Sequence, residues 1–328
     1  MKTTDKEKNQ APGLRHRLET ALLILLPCLT LLLTALLLVP AARSYRERSA
    51  AHQPVPVAPE PTREPVVLRL EPQPTETPFY TGDPFFGWQF DGERYFYKDN
   101  YGQPLTGLHR IDGKLYFFLP DGTKAKSLGV DVSFYNEDID WQQVKRQGID
   151  FAIIRLGGRG WGSGLIYDDV RTAQFLHNAR EAGLKLGAYF YSTAGSEREA
   201  AEEARAALRF LNGQRLELPV FIDVEESGEY PKGRSDKLTR EERSRVISAF
   251  CRVIEAGGCK AGVYSGHYLL NHAIEPAVTA GRTVWLANYT AAAQGYLPYF
   301  GGGYQLWQFT PWGSVKGIRG HTDMDILF

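Results

Sequence analysis

From Ser127 to Phe328, short apolar runs alternate with stretches whose apolar positions recur every three to four residues. The runs predict strands at Leu128–Ser133, Phe151–Leu156, Leu186–Tyr191, Pro219–Glu225, Ala261–Tyr264, Val284–Tyr289, Tyr304–Phe309 and Met324–Phe328, each too short for a buried helix. Between them, Ser196-x-x-Glu199 and Thr239-x-x-Glu242 have the spacing of capping boxes, in which two side chains satisfy otherwise orphan backbone N–H groups. Gly183 and Gly257 fall where a left-handed C-cap is wanted. After Thr239, residues Val246, Ile247, Phe250, Val253 and Ile254 form one apolar stripe. This alternation predicts an α/β domain over 127–328, an irregular (β/α) TIM-like barrel with little helix between its last strands.

The preceding residues divide by the same criterion. Ala21–Val39 is apolar and uncharged for nineteen residues, and a bilayer core of ~30 Å takes about 20 such residues in a helix. Segment 21–40 is therefore expected to be a transmembrane helix or signal anchor, with 1–20 as a cytoplasmic N-terminal segment. Lys2, Lys6, Lys8, Arg15 and Arg17 favour an N-inside orientation, and Arg43, Arg46 and Arg48 oppose it. The expected location is the cell membrane, single-pass, with the catalytic region outside the cytoplasm. Cleavage at Val39-Pro40-Ala41 would instead give a secreted protein. Eight prolines between Pro54 and Pro78 mark 41–78 as an extended linker.

Residues 79–126 contain two similar aromatic stretches. Asp91-Gly92 corresponds to Asp112-Gly113, Tyr95-Phe96-Tyr97 to Tyr116-Phe117-Phe118, and Gly102 to Gly122. Asp-Gly pairs make tight turns and aromatic triplets make strands, so two stacked β-hairpins are expected. They resemble the choline-binding or glucan-binding repeats of Gram-positive surface proteins, in which aromatic cages hold a cation. On that resemblance Trp88, Tyr95, Tyr97 and Tyr116 are candidate choline or wall-polymer contacts, although Leu108 stands where the second repeat would carry tryptophan. The other reading of this module is a structural collar for the domain that follows.

Composition narrows the chemistry. The 38 basic and 38 acidic side chains cancel, so nothing suggests a nucleic-acid partner. No C-x-x-C and no H-E-x-x-H occurs, so neither zinc ribbons nor metalloprotease sites are expected. Cys251 and Cys259 could pair outside the cell or remain two free thiols. The glycine-rich stretch 157–164 fits neither phosphate-binding pattern and is expected to be a strand-to-helix loop.

The chemically informative stretch is Phe221-Ile222-Asp223-Val224-Glu225, an apolar strand ending in two carboxylates. Side chains at i and i+2 of a strand share one face, so both acids point the same way and Val224 points into packing. Neighbouring negative charges raise at least one pKa, which is how a carboxyl becomes a proton donor near neutrality. Asp131 on the first strand and Asp323 before the last apolar run extend the set. Asp323 is at the beginning of its strand, against the rule that barrel sites collect at carboxyl ends. Tyr135, Tyr189, Tyr191, Trp285, Tyr289 and Trp307 surround these positions, and flat rings among polar groups suit a sugar.

Several segments carry a family resemblance in order: Gly129–Ser133, Ile139–Trp141, Phe151–Arg155, Ala182–Ser192, Phe221–Glu226, Trp285–Tyr289, Leu306–Phe309 and Thr322–Asp325. Together they resemble the glycoside hydrolase family 25 lysozymes, N-acetylmuramidases of bacterial peptidoglycan. The resemblance implies an eight-stranded barrel, no cofactor, and peptidoglycan glycan strands as the partner. It implies Glu225 as general acid and Asp223 as the carboxylate that orients or stabilises the reacting sugar. Asp131 and Asp323 complete the acidic cluster, Tyr189, Tyr191, Trp307 and Gln308 line sugar subsites, and Arg155 braces the carboxylates. After the Asp131 motif the family often has Gln-Gly, where this chain has Asn136-Glu137. The sequence leaves open retention or inversion, a role for the substrate's own N-acetyl group, the oligomeric state, and a catalytically silent wall-binding barrel.

Overall fold

Each apolar run expected to be a strand is one. The computed structural model describes residues 85–227 and 233–328, and the apolar run 21–39 lies outside them. Among the described residues no helix is long and apolar enough to cross a membrane. Two hairpins come first, β1 (Gly87–Phe90) with β2 (Tyr95–Lys98), then β3 (Gly107–Ile111) with β4 (Lys114–Phe118). The second turns on Asp112 and Gly113, whose φ values of 48° and 83° are the left-handed pair that a two-residue hairpin requires.

The sheet that follows contains β5 (Ser127–Val132), β6 (Phe151–Arg159), β7 (Ile166–Asp168), β8 (Lys185–Ser192), β9 (Val220–Val224), β10 (Ala261–Gly266), β11 (Thr283–Ala287), β12 (Leu306–Gly313) and β13 (Thr322–Leu327). Its order is β5-β13-β12-β11-β10-β9-β8-β6, and β5 also pairs with β6, which closes an eight-stranded barrel with β7 on the extended end of β6. All barrel neighbours are parallel except β13, which is antiparallel to both β12 and β5. This reversal accounts for Asp323. The start of an antiparallel strand lies at the carboxyl end of its parallel neighbours, and Asp323 is in register with Asp131.

Helices α1 (Trp141–Arg146), α2 (Thr172–Glu181), α3 (Glu197–Leu211), α4 (Arg240–Ala256), α5 (His267–His272), α6 (Pro276–Thr279) and α7 (Tyr289–Gln294) occupy the connections. Thr239 and Glu242 form a reciprocal capping box. At α3 the Ser196 hydroxyl accepts from the Glu199 N–H, but the Glu199 carboxylate reaches Gly195 N–H instead of closing the box. Gly183 has φ 79° as expected, whereas Gly257 is at φ −77° and Gly258, at 81°, takes the left-handed position. The stretch 157–164 is also corrected. Gly157, Gly158 and Arg159 continue β6 and pair with β7, because a Cβ at Gly157 or Gly158 would collide with Tyr167.

Two apolar layers result. One fills the barrel with Phe151, Ile153, Phe221, Tyr264, Trp285 and Leu306. The other lies between strands and helices and takes in Leu115, Phe117 and Ala125 from the hairpin module. Phe117 packs 5.8 Å from Trp307 and 4.4 Å from Phe309, ring centre to ring centre. The second hairpin is thus part of the domain core. Phe117→Ala should lower the unfolding free energy by about 3–5 kcal/mol in chemical denaturation; a loss below about 1 kcal/mol would mean that the hairpins merely hang from the barrel.

Candidate active site

Strand alternation places the site. Residues 129, 131, 153 and 155 share the inner face with 189, 191, 223, 264, 285, 306, 308, 323 and 325, as the ladder registers require. Asp223 is in register with Tyr191 on one side and Tyr264 on the other. Val224 points outward into packing, as expected. Glu225 follows the last residue of β9 and is half-buried at the mouth, while Asp131, Asp223 and Asp325 are buried below it.

The acids are tied together by a chain of hydrogen bonds. Gln308 Nε2 donates to Asp131 Oδ2 at 2.7 Å, and Gln308 Oε1 accepts from the hydroxyls of Tyr264 and Tyr289, both at 2.7 Å. Trp285 Nε1 donates to Asp325 Oδ1 at 2.8 Å. Asp325 was not among the candidate residues, yet it is fully buried and reaches Asp131. Burial, first, and then the neighbouring negative charges hold Asp131, Asp223 and Asp323 well above the ordinary carboxylate range. For Asp223 the charges are those of Glu225, Asp131 and Asp323, and the Arg155 cation opposes them. Asp325 is pushed up by burial in the same direction.

Arg155 does not bond to these acids. Its Nε donates to Asp169 Oδ2 at 2.9 Å, and Asp169 also accepts from the backbone N–H groups of Phe134 and Arg171. The guanidinium lies 5.0 Å and 5.2 Å from the ring centres of Phe134 and Tyr135, a cation–π sandwich partner for two rim aromatics. Arg155 therefore acts on Asp223 through its charge. Three buried polar atoms at the site, Asp223 Oδ1, Asp325 Oδ2 and Arg155 Nη2, have no hydrogen-bond partner within the protein.

The aromatic candidates divide. Tyr189 and Tyr191 face the interior, Tyr289 stands at the mouth with its hydroxyl on Gln308, and Tyr135 is 75% exposed on the rim. Trp285 is no sugar platform: it is 1% exposed, tilted against Tyr264 and edge-on to Phe221 beneath the acids. Trp307 is likewise buried, on the outer face of β12 against Phe117, with its Nε1 bonded to Asn288 O. Trp88 is also buried, edge-on to Tyr97 and Tyr116 at 5.4 Å and 4.9 Å between ring centres. Tyr95 packs on Phe90 in the same hairpin. Among the described residues no group of three His, Cys, Asp or Glu is arranged to hold a metal ion.

Glu137, where the resembling family often has glycine, has φ 55° and ψ −134°. That is backbone territory glycine enters freely and other residues enter at about 1–3 kcal/mol. Its carboxylate meets Arg319 at 3.0 Å on an exposed surface, a contact of little worth there.

Carboxyls gathered at the carboxyl ends of the strands of a closed barrel suit acid–base chemistry. The profile of the glycosyl hydrolases family 25 matches residues 130–318, and the chain belongs to that family. Relatives include the uncharacterized protein YegX of Escherichia coli strain K12, 28% identical over 205 residues, 61% of this chain and 68% of that one. The autolytic lysozyme of Clostridium acetobutylicum is 26% identical over 197 residues, 60% of this chain and 54% of that one. Among solved structures, the modular autolysin LytC from Streptococcus pneumoniae superposes with a TM-score of 0.57 at 22% identity, over 74% of this chain and 58% of that one. The bacterial lysozyme from Streptomyces coelicolor gives 0.51 at 22% identity, over 61% and 91%.

Two outcomes follow from the site. Asp131, Asp223, Asp323 and Asp325 bind protons more tightly folded than at the ordinary value of 3.8, so between that value and their raised ones the native state holds more protons. Stability then falls as pH rises, and thermal melting should give a lower Tm at about pH 8 than at about pH 5; the opposite slope would mean ionised, well-paired carboxylates. Glu137→Gly should raise stability by about 1 kcal/mol, seen as a higher Tm, by relieving the backbone. An unchanged or lower Tm would show that the Arg319 contact outweighs the strain.

Proposed function

We propose that the protein is a muramidase, hydrolysing the β-1,4 bond between N-acetylmuramic acid and N-acetylglucosamine in peptidoglycan. The observation that carries this reading is Asp223 Oδ1, a buried and unpartnered carboxylate oxygen two residues before the half-buried Glu225. A sugar group entering the mouth supplies what that oxygen lacks, and Glu225 is more accessible and placed to give its proton. Glu225 protonates the glycosidic oxygen as the C1–O bond breaks. The substrate's acetamido carbonyl oxygen closes on C1, with Asp223 holding the amide N–H. Water then opens that ring and returns a proton to Glu225, so configuration is retained. Participation of the acetamido group is favoured because Asp223 and Glu225 come from one strand end and not from opposite sides of a sugar.

Tyr189, Tyr191, Tyr289, Tyr135 and Gln308 are the substrate contacts in this reading, with Asp131 and Asp323 completing the acidic wall. The apolar segment 21–40 tethers the enzyme outside the cytoplasm and 41–78 gives it reach into the wall. The names of the relatives, an autolytic lysozyme and a modular autolysin, support the substrate class.

The test is reducing-end analysis of digested peptidoglycan by borohydride reduction and mass spectrometry. The native enzyme should create reduced muramic-acid ends, and Glu225→Gln should lower kcat by about 10²–10⁴-fold without loss of folding. Full turnover in that variant removes Glu225 as the acid. Tight pelleting with the wall without new ends moves the assignment to a wall-binding barrel.

A further inference from the structure

Beneath the acids used by the proposed mechanism lies one it does not use. Asp325 projects into the barrel one layer below Asp323, opposite Gly129, at which a Cβ would strike the Phe151 ring at 2.2 Å. The position is fully buried. Trp285 Nε1–H is committed to Asp325 Oδ1, and Asp325 Oδ2 is buried with no donor. Asp131 is its diagonal neighbour on the same face of the β5–β13 ladder, and the two carboxyls are in contact.

The orientation of the Asp131 carboxyl is also determined. Two tyrosine hydroxyls occupy Gln308 Oε1, so the amide presents its N–H to Asp131 Oδ2. That oxygen is an acceptor, so a proton held by Asp131 belongs on Oδ1. Two carboxylate oxygens in contact inside an apolar barrel attract only when a proton lies between them.

We propose that Asp131 and Asp325 hold one proton in common, Asp131 donating and Asp325 accepting, so that Asp325 is a positioning residue that keeps Asp131 a neutral acid. The pair then carries a single negative charge, and that charge sits on the barrel floor beside the Trp285 N–H. Its surroundings make the location matter. Asp223 from β9, Glu225 just beyond its end and Asp323 from β13 face Asp131, Tyr189 and Tyr264 flank it from β8 and β10, Tyr289 stands above, and Arg155 on β6 is the cation acting on Asp223. An anionic Asp131 would add its charge to those of Asp223 and Asp323 at the mouth. A neutral one leaves Asp223 free to ionise and offers the substrate a wall that is less repulsive.

This inference rests on the muramidase reading for its consequence but not for its test. Asp325→Asn preserves shape and turns the contact into an amide N–H donated to Asp131. Asp131 then loses its proton, and the same single charge moves from the floor to the mouth. Infrared difference spectra of the full chain, with aspartate carbon-13 labelled, read protonated carboxyls at neutral pH whether or not the enzyme cuts peptidoglycan. A protonated-carboxyl band present in the native protein should be lost in Asp325→Asn and also in Asp131→Asn. Retention in either variant, with the fold intact by thermal melting, overturns the shared proton. Where turnover is measurable, the acidic limb of kcat/KM in Asp325→Asn should move to higher pH by about one unit, because Asp223 gains a charged neighbour. An unmoved limb would overturn the positioning role. Absence of turnover in the native enzyme would count against the muramidase reading and leave the infrared result standing.

Discussion

Carboxyl groups withdrawn from water inside a closed barrel must each find a donor or hold a proton, and the arrangement of this domain follows from that requirement. Asp131 takes its donor from Gln308, and Gln308 can serve only because Tyr264 and Tyr289 occupy its carbonyl oxygen. Asp325 takes its donor from Trp285, which is why a tryptophan with a polar edge fills the barrel where a phenylalanine would pack as well. Asp223 Oδ1 and Asp325 Oδ2 both lack a donor within the protein, but Asp325 is in contact with the Asp131 carboxyl and Asp223 has no such neighbour bonded to it. The provision is unequal: Asp131 and Asp325 are tied to the scaffold by Gln308 and Trp285, and Asp223 keeps an oxygen with no donor.

Much of this was legible in the sequence, and the omissions have identifiable causes. The eight barrel strands follow from short apolar runs, and the pairing of Asp223 with Glu225 follows from the two-residue period. The same period applied to Asp323 would have marked Asp325, two residues on and on the same face. It would also have excluded Trp307, since Gln308 points inward and its neighbour must then point outward. Trp285 has the correct face but the wrong depth, which depends on how strands stagger around the closed barrel and is not written in any one strand. Asp169 carries no local signal at all, because it comes to Arg155 only when β7 folds back on β6.

The reversed last strand resolves what the carboxyl-end rule made awkward. Eight parallel strands would put the beginning of the last one at the closed end of the barrel. Running β13 antiparallel brings Thr322 and Asp323 to the open end, where Asp323 stands beside Asp131 and Thr322 donates its hydroxyl to the Asp131 backbone carbonyl at 3.4 Å. It also sets Asp325 below them, on the floor. One change of direction thus supplies both an acid at the mouth and a carboxyl partner beneath it.

The hairpin module and the acids meet on a single strand. In β12 the alternation Leu306, Trp307, Gln308, Phe309 sends Gln308 inward to Asp131 and sends Trp307 and Phe309 outward to Phe117 of the second hairpin. The Trp307 indole is fixed further by its bond to the Asn288 carbonyl, and Asn288 is the N-cap of the helix that begins at Tyr289. Gln308 is therefore held from three directions: by collar packing behind it, by the Tyr289 hydroxyl above, and by Tyr264 from within the barrel. A ring swap at Trp307 that left every acid in place would still act on Asp131, because the backbone carrying Gln308 is positioned by what lies on its other face. The second aromatic repeat thus contributes to the site as packing: it holds in place the strand on which the donor to Asp131 depends.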